Sequence, residues 1–237
     1  MRILEGKKLT KFFGGLAAVS EVDFDVDHGE IVGLIGPNGA GKTTLFNLIS
    51  GAIIPDSGAL EFKGQKLTGL KAHLVCRAGV ARTFQSVRVF PNMTALGNVS
   101  LGGVFGKGMS SAAAAAAAEE LLDFVGLAGA ASTRAGDLTL AHQKRLEVAR
   151  ALATRPEVML LDEVIAGLNL TEAGEVMDLI TRIRDRGITI LMIEHVMKAI
   201  MSICNRIIVL HHGEKIAEGS PAEITSNETV IKIYLGK

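Results

Sequence analysis

Residues 36–44 read Gly36-Pro37-Asn38-Gly39-Ala40-Gly41-Lys42-Thr43-Thr44, directly after the apolar run Ile31-Val32-Gly33-Leu34-Ile35. The spacing fits the phosphate-binding pattern G-x-x-x-x-G-K-[ST], with Gly36, Gly41, Lys42 and Thr43 at the required places. A buried strand before the loop and a helix over Thr43 to Ser50 after it would supply the context the pattern needs. Glycines let the backbone curl so that several N–H groups converge on an anion. The following helix offers its positive end to the same anion. In such a loop Lys42 reaches the β- and γ-phosphates, and the Thr43 hydroxyl binds Mg²⁺. An ordinary Gly-rich strand-to-helix turn would share the glycines; the Lys-Thr pair and the motifs further along set this stretch apart.

The rest of the chain bounds what can surround this loop. At 237 residues it makes one large domain or two small lobes. A chain of that length buries roughly 70–75% of its unfolded surface and needs no staples. Lys plus Arg number 25 and Asp plus Glu number 25, so no basic field points to nucleic acid. Cys76 and Cys204 have neither metal-ligand nor redox-pair spacing and read as core residues of a reducing compartment. The N-terminal stretch Met1 to Lys8 lacks the apolar region of a signal peptide. No apolar run approaches the ~20 residues of a membrane span. A soluble or peripheral protein is expected, with any pore on other chains.

Patterning predicts strands over Leu4 to Ile35, where Phe24 and Val26 alternate with Asp23, Asp25 and Asp27. Leu60 to Leu67 reads as a hairpin turning at Gly64. From Pro91 to Arg155 the texture is helical. Ala112 to Ala118 is an unbroken alanine run, expected as a solvated helix. Val158 to Leu161 and Ile188 to Ile193 return as apolar strands around a helix from Thr171 to Arg186, the alternation of a mostly parallel sheet. Ile207 to Leu210 turns at His212-Gly213 into Lys215 to Ala217, and Ser220-Pro221-Ala222-Glu223 is a capping box opening a C-terminal helix. The expected class is α/β: a phosphate-loop NTPase core with a mostly parallel sheet, an antiparallel β region and a helical subdomain. The core and antiparallel region take 1–90 and 156–237, and the helical subdomain about 91–155.

Three further sites carry chemistry. The strand Val158 to Leu161 ends in Asp162-Glu163, and in a parallel sheet such an end faces the ligand crevice. Asp162 is placed to hold the Mg²⁺ hydration shell, and Glu163 to act as general base for the water that attacks the γ-phosphate. By itself an acidic pair after a strand is usually a helix cap; beside a phosphate loop it is a site. Gln85, just before the helical region, reads as a polar sensor of Mg²⁺ and γ-phosphate, although a lone Gln also serves as a solvated or capping residue. His195 follows the strand Ile188 to Ile193 and Glu194. It is a hydrogen-bond partner for the γ-phosphate and Glu163, or a structural histidine.

In this order, the phosphate loop, Gln85, Leu138-Thr139-Leu140-Ala141-His142, Asp162-Glu163 and His195 resemble the ATPase subunit of an ABC transporter over essentially the whole chain. Within that family the chain is similar to the ATPases of importers for branched-chain or other hydrophobic amino acids. The strings that carry this are Ala81-Arg82-Thr83-Phe84-Gln85-Ser86-Val87-Arg88-Val89-Phe90-Pro91-Asn92-Met93-Thr94, Ala166-Gly167-Leu168-Asn169, Glu194-His195-Val196-Met197 and the ending Ile231-Lys232-Ile233-Tyr234-Leu235-Gly236. The resemblance implies ATP and Mg²⁺ as ligands, with Thr43, Gln85 and Asp162 toward the metal and Lys42, Gln85, Glu163 and His195 toward the reaction. It implies Phe13, or its neighbour Phe12, stacked on adenine, unless Phe13 is a core residue. It implies a head-to-tail pair with a second, like or unlike, ATPase subunit, whose γ-phosphate Thr139 and Ala141 would approach. Two membrane-spanning permease subunits and, indirectly, an external substrate-binding protein would complete the system. The chain would sit on the cytoplasmic face of the membrane.

The signature loop departs from the family's Leu-Ser-Gly-Gly-Gln: Thr139 keeps a hydroxyl, Leu140 and Ala141 replace the glycines, and His142 replaces Gln. Ala141 adds a methyl where backbone must approach phosphate, so a weaker clamp is expected. The segment Gln85 to Phe90 is the expected docking site for a membrane subunit's helix, with Val87, Val89 and Phe90 as anchors and Arg88 at the rim, unless these side chains pack internally between the lobes. Other readings are an ATPase of lipid or polysaccharide export or of urea uptake, and a soluble ATPase acting on ribosomes or DNA.

Overall fold

The computed structural model describes residues 1–235, so Gly236 of the family-like ending lies outside the described residues. Two sheets organise the chain. The first is antiparallel, in the order β2-β1-β4-β5, from β1 (Arg2–Phe13), β2 (Leu16–Asp27), β4 (Ser57–Phe62) and β5 (Gln65–Lys66). The second runs β10-β9-β3-β8-β7-β6, from β3 (Ile31–Ile35), β6 (Val80–Arg82), β7 (Val158–Asp162), β8 (Thr189–Ile193), β9 (Arg206–His211) and β10 (Glu214–Gly219). It is parallel except at the β9–β10 hairpin.

The strands β3, β7 and β8 are buried along their whole length, as continuous apolar runs in a sheet covered on both faces must be. Because successive side chains point to opposite faces, each strand feeds two cores. Val32, Leu34, Leu160, Leu191 and Ile193 pack with Leu4, Leu9, Phe24 and Val26 of the antiparallel sheet and with Leu45, Phe46 and Ile49. Those last three lie on α1 (Lys42–Ile49). Ile31, Ile35, Met159, Leu161, Ile190 and Met192 face the second core.

That second core is built with helices. After α2 (Ala72–Ala78) and β6 come α3 (Ala95–Leu101), a single π turn over Gly102–Gly106, α4 (Ser111–Phe124) and α5 (Leu140–Leu152). Then follow α6 (Leu170–Asp185), α7 (Met197–Ile203), α8 (Pro221–Ser226) and α9 (Glu228–Leu235). The capping box at Ser220 and Glu223 forms as read, with Pro221 in the first turn.

One expectation needs correction. The alanine helix α4 is not simply solvated: Ala114 and Ala118 are fully buried. A side chain at Gly103 would stand 3.2 Å from the Ala114 methyl, so small residues on both sides let α4 close on the π turn. The elements α2 and β6 carry no period that sequence patterning reads, since three residues of edge strand are too few to show one.

Candidate functional site

The phosphate loop leaves β3 at Gly36 and enters α1 at Gly41, as its residues require. A side chain at Gly41, where φ is 100°, would fall 2.3 Å from the Ala18 carbonyl oxygen, so the loop docks directly on β2. No side chain caps the start of α1, which leaves its first N–H groups for an anion. Lys42 is buried and curls back, its Nζ donating to the carbonyls of Gly36 (2.7 Å) and Pro37 (3.0 Å). Burial pulls its ammonium below the ordinary lysine value, offset in part by Glu163 and Asp162. A buried lysine held only by carbonyls is poised to exchange them for phosphate oxygens.

Over the loop lies a cleft of about 420 Å³, walled by Leu16, Ala17 and Ala18 on one side and Gln85, Glu163 and His195 on the other. Asn38 to Thr44 form its floor, and His212 also borders it. Three of the sequence-predicted residues meet at one carboxylate: Gln85 Nε2 donates to Glu163 Oε2 at 3.1 Å, and His195 Nε2 lies 2.6 Å from Glu163 Oε1. An ionised carboxylate only accepts, so Nε2 carries the hydrogen in that contact. Glu163 itself has φ 51°, left-handed backbone for a residue with a side chain. Such a conformation persists only where its surroundings hold it.

Asp162 stands behind this group and is 1% exposed. Its Oδ2 accepts from Arg82 Nη2 at 2.9 Å, while its Oδ1 is buried with no partner among the described residues. Burial pushes this carboxyl above its ordinary value, and Arg82 pulls it part of the way back. An orphaned buried carboxylate oxygen is what a hard cation would satisfy. Thr43 in the cleft floor and Gln85 in its wall carry further oxygen donors, while Asp162 is not among the residues that line the cleft; oxygens of these kinds are what Mg²⁺ takes.

Not every predicted residue converges. Phe13 is 53% exposed at the end of β1, paired across the hairpin with Leu16, and it does not line the cleft; Phe12 beside it is exposed too. Thr139 caps α5, its Oγ accepting from the His142 N–H at 3.3 Å, and Ala141 is buried in the first turn. Neither lines the chain's own cleft. Val89 packs against the core, leaving Phe84 and Phe90 to line a neighbouring groove.

Sequence reasoning gave no role to four charged residues. Arg82 bridges the Asp162 carboxylate to Asn47 Oδ1 (2.5 Å) on α1 and to Ser50 Oγ (3.2 Å) just past its end. Lys144 on α5 donates from its buried Nζ to the Glu163 carbonyl at 2.8 Å. Glu147, one turn on, accepts from the Arg88 N–H at 3.1 Å, and Glu194 accepts from the Ile165 N–H at 3.0 Å. Only Lys144 and Glu147 left a sequence signal: they share the buried stripe of α5 with Ala141, Val148 and Ala151.

Comparison with known proteins agrees with this geometry. The ABC transporter family profile matches residues 19–166, and a C-terminal profile described as branched-chain amino acid ATP-binding cassette transporter matches 214–237. The chain is 42% identical to the high-affinity branched-chain amino acid transport ATP-binding protein BraF of Pseudomonas aeruginosa, over 99% of this chain and 98% of that one. It is 42% identical to LivG of Salmonella typhimurium, the ATP-binding protein of the same kind of transport, over 95% and 94%. A nucleotide-free ATP-binding cassette from an ABC transporter superposes with a TM-score of 0.91 at 30% identity, each chain fully covered; an ADP-bound cassette gives 0.90 at 30%, again with full coverage. A dimeric cassette bound to ADP and phosphate gives 0.84 at 27%, over 92% of this chain and 99% of that one. The chain belongs to the ABC transporter ATP-binding family and is an ATPase subunit of that family.

Proposed function

We propose that this chain hydrolyses ATP with Glu163 as general base, in an importer of branched-chain or other hydrophobic amino acids. The observation that carries the catalytic half is the Glu163 carboxylate, held between Gln85 and His195 at the mouth of the phosphate-loop cleft. A carboxylate gripped on both oxygens faces the attacking water in one orientation, and phosphoryl transfer depends mainly on positioning and charge. Lys42 and the N–H groups of Gly39 to Thr44 bind the phosphates. His195 meets the γ-phosphate side of the cleft while steering Glu163. Thr43, Gln85 and Asp162 would hold Mg²⁺, which when bound neutralises charge building on the β- and γ-oxygens. Adenine rests on the hairpin near Phe13, against the Leu16 to Ala18 wall.

Two clefts close head to tail with a second ATPase subunit. Thr139 and Ala141 support this, since they stand at a helix start that the chain's own cleft does not use. The membrane subunits would dock a cytoplasmic helix in the groove of about 490 Å³ lined by Phe84, Phe90, Leu101 and Phe105, which opens beside Arg82 and Glu147. Among the described residues no helix is long and apolar enough to cross a membrane, which fits a subunit lying on the cytoplasmic face beside separate permeases. The cargo follows from the relatives' own transport and from the C-terminal match over 214–237. Uptake of labelled leucine, isoleucine and valine by a strain lacking this chain tests it. Uptake should fall and return with the parent gene but not with Glu163→Gln; undiminished uptake of all three would remove the cargo assignment.

A further inference from the structure

The three groups of the catalytic cluster are each tied to the same buried set of charged side chains. The Glu163 carbonyl takes the Lys144 ammonium at 2.8 Å. The strand end that carries His195 is held through Glu194, whose Oε1 accepts from the Ile165 N–H, two residues past Glu163. The loop that carries Gln85 is held through the Arg88 N–H on Glu147. Lys144 and Glu147 sit one turn apart on α5, the helix that begins at Thr139. Lys144 is 6% exposed and Glu194 2% exposed. Burying an ammonium is costly unless carboxylates and acceptors surround it. Here Glu194, Glu147 and Glu163 offset the burial that lowers the lysine.

The Glu163 turn needs such support. Its left-handed φ of 51° is strained backbone for a residue with a side chain, and it holds only where its surroundings keep it there. The main-chain bonds available to it are the Glu163 N–H to the Ile193 carbonyl and the Ala166 N–H back to the Glu163 carbonyl. Lys144 adds the one cationic donor on that carbonyl, and it comes from another layer of the fold. A neutral residue at 144 would leave the carbonyl to the weaker 3.2 Å turn bond alone.

We propose that Lys144 is a positioning residue for ATP hydrolysis: it fixes the Glu163 main chain to α5, so that the base moves in register with the helix that starts at the signature loop. The inference rests on Glu163 being the base. Glu147 does the same for the Gln85 loop, and the two residues make α5 a common mount for the base and one of its two side-chain partners.

The test measures steady-state ATP hydrolysis and ATP affinity of the full chain for the parent, Lys144→Met, Lys144→Arg, Glu163→Gln and the Lys144→Met/Glu163→Gln double variant. Lys144→Met should lower kcat about tenfold with ATP affinity within about twofold of the parent, and Lys144→Arg should recover at least half of the lost rate. In the Glu163→Gln background Lys144→Met should cause no further loss, because its effect passes through Glu163. Parental kcat in Lys144→Met, beside an inactive Glu163→Gln, overturns the positioning role and leaves the base assignment standing. A tenfold further loss in the double variant overturns it as well. Near-parental turnover in Glu163→Gln removes the base and this inference with it. If Lys144→Met does not fold, Lys144→Gln enters the same comparison.

Discussion

Two clefts lie back to back across the segment Arg82 to Phe90, and they are built from opposite materials. The nucleotide cleft is floored by main-chain N–H groups and one buried lysine and walled by a gripped carboxylate. The groove behind it is lined by Phe84, Phe90, Phe105 and Leu101, with Phe105 70% exposed. Arg82 and Glu147 belong to both settings: they line the groove, yet Arg82 pairs with Asp162 and Glu147 holds the loop of Gln85. The contrast teaches that a polar cleft and an apolar groove can be one wall apart, with the wall itself made of charged pairs. A helix docked in the groove, as proposed, would lean on groups one bond away from Asp162 and the Gln85 loop.

The sharpest break falls on the nucleotide side alone. Glu163→Gln should cut phosphate release by about 10²–10⁴ while calorimetry still shows ATP bound; parental turnover would empty the cleft of its base. Next comes the wall. Arg82→Met strands Asp162 in a buried site without its cation, a loss of about 3–5 kcal/mol that should appear as a clear drop in Tm and weakened nucleotide binding. A stable variant would mean that the two clefts are energetically separate. On the groove side alone, Phe105→Asp should release co-purifying membrane subunits and leave ATP affinity unchanged. Retained partners would move the docking surface elsewhere.

A smaller effect tests the buried carboxyl between the layers. Burial pushes Glu194 up to about 7 from 4.5. The folded chain therefore holds a proton there that the unfolded chain releases, so this group's contribution is present below about pH 4.5 and lost as pH rises through 7. Parental Tm should accordingly decline from pH 5 to 8 more steeply than that of Glu194→Gln, by differential scanning calorimetry; equal slopes would show that Glu194 is not held protonated. Smallest is the signature loop. Ala141→Gly with His142→Gln should raise ATPase of the assembled complex a few-fold, about 0.5–1 kcal/mol in barrier terms, and an unchanged or lower rate would show that the native loop already suffices.

What could be read beforehand follows from range along the chain. The phosphate loop is local, nine residues whose types dictate their own geometry, and it formed as read. Glu163 and His195 were legible because each follows an apolar strand, and parallel strands bring their ends together. Arg82 was not, since its partner lies 80 residues away and its strand is three residues long. Glu194 looked like spacing between Ile193 and His195 until the Ile165 N–H stood against it. The alanine helix was misjudged, and Val89 was left between two readings, for the same reason: hydropathy says how apolar a side chain is, not which of its surroundings takes it.

The two cysteines differ as much as the two clefts do. Cys204 is buried, its thiol pushed up to about 12, against the close-packed Gly33. Cys76 is half-buried and opens into the apolar groove. A thiol that stays protonated and covered does not react with maleimides or disulfide reagents. The protein thus carries a single addressable tag in the groove proposed to dock the membrane subunits, and one fluorophore on Cys76 would report groove occupancy during turnover without any cysteine having to be added or removed.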